Sequence, residues 1–105
     1  MSSVYSTRFI EATALTDFAG YEVPSGFRAV VRDAWVTNNA SIAAISWSLG
    51  RNIGATWWQQ NDVTTGPNYY YWQGRQVLEA GEELQFYSGG DAIDVAVCGY
   101  LLTLP

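Results

Sequence analysis

The chain has 105 residues, of which 49% are hydrophobic and only 14% charged. That is enough apolar material for one folded domain and too much for intrinsic disorder. Ten acidic residues against five basic ones leave a net charge of −5, and the scattered arginines form neither the basic patch that DNA or RNA requires nor one for an anionic membrane surface.

The opening run, Met1 to Arg8, lacks the apolar stretch of a secretory signal, so none is expected there. No apolar run approaches the ~20 residues of a membrane helix. The single Cys98 has no partner for an intrachain disulfide; within the apolar run Asp94 to Tyr100 it reads as a small buried hydrophobe. Asn39-Ala40-Ser41 has the form of a glycosylation sequon, which carries little weight without a signal.

Five Trp, seven Tyr and four Phe, with plentiful Val, Ile and Thr, favour pleated strands, and no segment holds a helical period. In chain order, strands are expected over 4–12, briefly near 18–23, and over 27–37, 41–49, 53–60, 69–78, 83–88 and 92–104. Turn signals separate them: Pro24-Ser25-Gly26, Asn38-Asn39, Gly50-Arg51-Asn52, Thr65 to Asn68, Ala80-Gly81 and Gly89-Gly90. In the strand over 41–49, Ala43, Ile45, Trp47 and Leu49 share a core face, opposite Ser46 and Ser48. In the strand over 92–104, Ile93, Val95 and Val97 share one face and Ala96, Cys98, Tyr100, Leu102 and Leu104 the other. Both faces are apolar, so this strand is expected to be central in its sheet or covered by a second chain. Short strands with turns at this spacing predict an all-β fold, a single antiparallel β-sandwich of about seven or eight strands and jelly-roll-like.

One internal echo supports two similar sheets. Val23-Pro24-Ser25-Gly26-Phe27 matches Leu78-Glu79-Ala80-Gly81-Glu82, each a glycine-containing turn before a strand.

Catalytic chemistry is hard to build from these residues. Without histidine there is no Ser-His or Cys-His pair and no histidine-rich metal site, and one cysteine does not make a zinc site. No catalytic residue, cofactor or metal is therefore expected. Glu79, Glu82 and Glu83 gather at one turn; a weak calcium site or an acid pair is one reading, and a solvated turn is the simpler one. Asp91 and Asp94 read in the same way. Arg32 and Asp33, adjacent in an apolar strand, are expected on opposite faces, each with a cross-strand ion-pair partner. Ser88 to Asp91 reads as a hairpin turn.

The distinctive feature is aromatic. Trp57 and Trp58 precede Gln59-Gln60-Asn61-Asp62, read as a loop, and Tyr69, Tyr70, Tyr71 and Trp72 follow. Consecutive strand residues alternate sides, so Trp58, Tyr69 and Tyr71 are grouped on one face and Trp57, Tyr70 and Trp72 on the other. One set fills the core, and the other packs against a second subunit or stacks on sugar rings. These six residues are the candidate interface or glycan site.

The run from Val23 to Asp33, Leu78-Glu79-Ala80-Gly81-Glu82-Glu83-Leu84 and the terminal Val97-Cys98-Gly99-Tyr100-Leu101-Leu102 resemble small all-β structural proteins of tailed bacteriophages, the minor tail proteins of phages of actinobacteria in particular. The resemblance spans about residues 21–104 and rests on turn-and-strand patterns. It implies a β-sandwich serving as a multi-copy virion part, assembled in the host bacterial cytoplasm, with no catalytic residues. The expected function is a non-enzymatic minor tail component that associates with itself, as a trimer or another ring, and with other virion proteins. Two alternatives stand beside it: a carbohydrate-binding domain for host cell-wall glycan, and a capsid decoration protein.

Overall fold

Alternating apolar and polar positions give eight strands among the described residues, and in the computed structural model they pack as two sheets. Residues 4–38, 45–51, 56–63, 69–89 and 93–104 are described. The strands are β1 (Val4–Leu15), β2 (Phe18–Glu22), β3 (Phe27–Asn38), β4 (Ile45–Arg51), β5 (Thr56–Val63), β6 (Tyr69–Leu78), β7 (Glu83–Ser88) and β8 (Ile93–Thr103). One sheet has the order β1–β8–β3–β6 and the other β2–β7–β4–β5. All neighbours are antiparallel. Only β4 and β5 follow each other within one sheet; every other step along the chain changes sheets. This is the strand order of a jelly roll.

Strands 69–78 and 83–88 match expectation residue for residue, and the short strand after Asp17 is present. Two local expectations are corrected. Gln59, Gln60, Asn61 and Asp62 belong to β5 rather than to a loop, paired with β4. The segment after Ser88 is no hairpin, because β7 and β8 lie in different sheets. The turn signals at Asn39 and at Thr65 to Asn68, the sequon, Ala43 and Asp91 lie outside the described residues.

Between the sheets lie Ile10, Val31, Val36, Trp47, Leu49, Leu78, Leu84, Phe86, Ile93, Val95 and Val97, all buried. Each such side chain contributes ~1.5–3 kcal/mol by leaving water. Ile93, Val95 and Val97 share one face, as expected, and it is the core face. β8 is central in its sheet, held between β1 and β3.

The two echoing turns sit side by side at one end of the sandwich. The Phe27 amide donates to the Pro24 carbonyl and the Glu82 amide to the Glu79 carbonyl, and Gly26 and Gly81 both have φ 86°. This is the type II turn, in which the third residue needs positive φ. Val23 joins the pair: its amide donates to the Glu82 carbonyl at 3.0 Å, and its carbonyl accepts from the Gly81 amide at 2.9 Å.

A line of bulges crosses the first sheet. Relative to β8, β1 has an extra residue at Phe9, between the partners of Val97 and Cys98, and β3 has one at Arg32, between the partners of Cys98 and Gly99, while β6 places Gly74 and Arg75 opposite Arg32. Gly99 is required on this line, because a Cβ there would lie inside the Val30 carbonyl oxygen. The bulge also corrects the expectation for Arg32 and Asp33. Core-facing Val31 and Ala34 flank them, so both fall on the outward side. Neither enters an ion pair among the described residues.

Candidate functional site

The six aromatic candidates are divided among three places. Trp58 on β5 and Trp72 on β6 point between the sheets and stack on each other, with ring centroids 5.9 Å apart and planes at 20°. Tyr70 joins them against the core, 6.3 Å from Trp47. Trp57 faces outward from the second sheet and meets Tyr87 edge-on at 5.4 Å. Tyr71 faces outward from the first sheet. The backbone of Tyr69 belongs to β6; its side chain lies outside the described residues.

The grouping read from the sequence is therefore wrong: Trp58, Tyr70 and Trp72 go inward together. The alternation within each strand holds, but β5 and β6 lie in different sheets, so their faces are independent. Trp58 is also the extra residue of a bulge, skipped where Leu49 pairs with Gln59 and Gly50 with Trp57.

The exposed rings are mostly ones that the sequence reading did not single out. On the outer face of the first sheet Trp35 is 47% exposed and Tyr71 44%. They are cross-strand partners on β3 and β6 with centroids 4.3 Å apart. On the outer face of the second sheet Phe18 is 38% and Tyr87 39% exposed. They pair across β2 and β7 at 4.7 Å, with half-buried Trp57 continuing the row. Their signal was available. Trp35 lies between core residues Ala34 and Val36, and Tyr87 follows core residue Phe86, so period two sends both outward.

Charged residues are few, and two of the three described ion pairs are at strand ends. Arg28 Nε donates to Glu79 Oε1 at 2.9 Å, and Arg51 pairs with Glu82 Oε2 at 3.2 Å. Glu82 Oε1 also accepts from the Glu79 amide at 2.7 Å, while Glu83 Oε1 accepts from the Gln85 amide group at 2.6 Å. The three glutamates thus diverge to separate partners. Asp94 Oδ1 accepts from the Ala14 amide at 2.9 Å, holding the backbone where Ala14 takes φ 54°. Among the described residues no three His, Cys, Asp or Glu side chains gather as a metal site.

The bulge line also shapes a shallow depression of about 420 Å³ lined by Ser6, Thr7, Arg8, Glu11, Cys98 and Gly99. Arg8 pairs with Glu11 across its mouth. Burial pushes the half-buried Cys98 thiol above its ordinary pKa, and the charge of Asp33 adds to this; Arg8 opposes it. A thiol held protonated is a poor nucleophile. The chemistry on offer is contact through rings and charges, on two opposite faces.

No protein-family model matches the chain, and no curated protein matches it. Among solved structures, the Drosophila NLP core, described for its pentamer formation and histone binding, is similar at TM-score 0.54 and 12% identity, covering 93% of this chain and 96% of that one. The C-terminal CBM6 of LamC, a marine laminarinase from Zobellia galactanivorans, has TM-score 0.45 and 12% identity, covering 99% and 100%. A chain of infectious bursal disease virus, Gx strain, has TM-score 0.38 and 10% identity, covering 97% of this chain and 30% of that one. The Drosophila likeness supports the all-β sandwich and speaks to fold alone; the other two carry no argument.

Proposed function

We propose that this chain is a non-enzymatic structural building block that self-associates, serving as a minor tail component of a tailed bacteriophage virion and packing there against other virion proteins. The observation that carries the reading is the pair of exposed rings on each outer face, Trp35 with Tyr71 and Phe18 with Tyr87. A sheet that faces water normally turns polar residues outward. Large aromatic side chains are instead enriched at the centres of protein interfaces. Both faces of this two-layer sandwich are equipped in that way, which suits a subunit with neighbours on two sides. The phage assignment draws its support from the turn-and-strand resemblance in the sequence.

Sedimentation velocity across the micromolar range tests self-association. A discrete oligomer is expected, reduced to monomer by Trp35→Asp with unchanged circular dichroism. A chain that stays an 11.6 kDa monomer throughout would overturn the reading. Electron microscopy of the native assembly tests the place in the particle, with regular arrays along the tail expected; density confined to the capsid shell would favour a decoration protein.

A second reading has its own observation. Phe18, Tyr87 and Trp57 form a continuous row of rings, and Gln85 on the same β7 face offers an amide beside them. Rings with a polar neighbour suit a sugar. Saturable retention on bacterial cell wall, lost on Tyr87→Ala, would establish glycan binding.

A further inference from the structure

We infer that two copies of this chain pair through the outer face of the β1–β8–β3–β6 sheet, related by a two-fold axis that runs along the strands between β8 and β3. The inference rests on the self-association proposed above and names its surface and its symmetry. It is drawn from a ridge and a trough that lie side by side on that face, at one level along the strands.

The register sets one cross-strand row over all four strands. Glu11 on β1 lies opposite Ala96 on β8, Ala96 opposite Trp35 on β3, and Trp35 opposite Tyr71 on β6. Core residues Val95 and Val97 flank Ala96, and Ala34 and Val36 flank Trp35, so the row points outward. Half of the row is a ridge: the Trp35 and Tyr71 rings, exposed cross-strand partners, pack together at 4.3 Å. The other half is a trough. A depression of about 280 Å³ opens over Ala96 between Glu11 and Trp35, and the 420 Å³ depression at Cys98 and Gly99 shares its Arg8 and Glu11 wall. At ~30 Å³ per water the first has room for about nine waters, and an indole ring has as many heavy atoms.

A two-fold axis between the two central strands reverses this row onto itself. It carries β3 of one copy over β8 of the other, and β6 over β1. Trp35 of each copy then enters the trough over Ala96 of the other, and Tyr71 comes over Glu11. A patch that fits itself in this way is an isologous contact, the kind that closes a dimer. An axis along the strands also keeps the strands of the facing sheets aligned, a common way for sheets to stack.

Charge selects this face. It carries four of the five arginines, all but Arg51, and four carboxylates, Glu11, Asp33, Glu79 and Asp94. It is therefore neutral, and the rest of the chain, with one arginine and six acids, holds the whole net charge of −5. Arg8 pairs with Glu11 and Arg28 with Glu79 within the chain, and Asp33 follows Arg32 on β3. In the dimer Arg8 and Glu11 of one copy lie over Arg32, Asp33 and Arg75 of the other, so the cluster on each side of the axis holds both signs. Two such faces meet without the net repulsion that like charge across a contact brings.

The area is adequate on every strand. β1, β8, β3 and β6 have 12, 11, 12 and 10 residues. At ~3.3 Å per residue and ~4.8 Å between strands they cover roughly 700 Å² in projection, and more in accessible surface. With the axis at the middle of the sheet all four strands overlap, close to the ~800 Å² per partner of a specific interface. Exposed Val4 and Val77 add apolar surface to the same face. The second sheet, with strands of 5, 7, 8 and 6 residues, is the smaller face and is left to other partners.

The reciprocal fit supplies the test. Light scattering coupled to size exclusion is expected to give wild type a mass twice the 11.6 kDa of the chain. Ala96→Trp fills the trough and Trp35→Ala removes the ridge, and each alone is expected to weaken dimerisation about 10-fold or more. Mixed in equal amounts, the two are expected to recover the dimer: one contact then sets the native Trp35 on Ala96, and its symmetry mate sets the new ring on the new alanine. Circular dichroism follows folding, and should Ala96→Trp not fold, Ala96→Leu takes its place. An oligomeric wild type whose variants associate as well alone, or whose mixed variants associate no better than each alone, overturns the two-fold contact and leaves self-association standing. A monomeric wild type together with a monomeric mixture overturns self-association itself.

Discussion

Gly26 and Gly81 are conformational twins: each is the third residue of a type II turn, each has φ 86°, and the two turns are hydrogen-bonded to each other through Val23. They carry the chain from β2 to β3 and from β6 to β7, both crossings between sheets. A Cβ at either position would meet nothing within 4 Å, so the need for glycine is conformational and not steric. Gly26→Ala and Gly81→Ala are each expected to cost about 1–2 kcal/mol. Asparagine, which tolerates positive φ better, is expected to cost less at both positions. Because the turns share hydrogen bonds, the double alanine variant is expected to depart from additivity. Urea denaturation of the five variants checks this; a cost equal for Ala and Asn would show that backbone conformation is not the cause.

Gly99 presents the opposite case. Its added Cβ would run into the Val30 carbonyl, part of the neighbouring strand's backbone, and the Phe9 ring. At Gly74 the Cβ would meet only the Trp72 ring, at 2.7 Å, and a ring can shift. Gly99→Ala is expected to lose more than about 3 kcal/mol, well beyond the ordinary mutational cost, and Gly74→Ala much less. Thermal melts of the two variants separate them. Equal melting temperatures would mean that the bulge line yields as easily as a side chain.

The sequence made the strands legible where chemistry marks their ends. β6 and β7 are flanked by Asn68 before and Glu79 to Glu82 between, and their limits were read correctly from those signals alone. Core positions such as Trp47 and Leu49 followed from period-two alternation. The aromatic site was legible only in part. Which way Trp58 points is set by a bulge in β5 and by the placing of β5 and β6 in different sheets, and neither leaves a local trace in the sequence. Trp35 and Phe18 escaped notice because single aromatics in a strand look like core, whereas runs such as Tyr69 to Trp72 draw attention. The placing of Arg32 opposite Gly74 and Arg75 depends on the register between β3 and β6, which is non-local.

The two classes of ring have separable consequences. Trp58 and Trp72 bridge the sheets by stacking, so Trp58→Ala or Trp72→Ala is expected to remove about 3 kcal/mol from the stability of the folded chain. Trp35→Ala and Tyr71→Ala remove half-exposed rings together with their cross-strand contact and are expected to cost only about 1 kcal/mol. Measurements belong at high dilution, where subunit association does not add to apparent stability. If Trp35→Ala proves as costly as Trp58→Ala in dilute protein, the outer face is a structural element in its own right and not a reserved contact.

The last expectation concerns alkaline pH and follows from Cys98. Burial foremost, and then the charge of Asp33, raise the thiol's pKa in the folded chain, while Arg8 works against both. The fold therefore favours the protonated thiol. Below the unfolded value of ~8.5, folded and unfolded chains both hold the proton, and this contribution to stability is complete. As pH rises past that value the unfolded chain releases its proton first, so stability falls until the folded thiol titrates as well. Burial raises Tyr21 in the same sense, and its loss follows at higher pH. Cys98→Ser keeps the size of the side chain and removes the titration, so its stability is expected to fall less steeply than that of the wild type above about pH 8.5. Iodoacetamide labelling of the native thiol reads the same balance by rate: slow in the wild type, slower in Arg8→Ala, which loses the opposing cation, and faster in Asp33→Asn. Labelling as fast as in urea, with parallel pH profiles for wild type and Cys98→Ser, would show that the sheet does not shield the thiol.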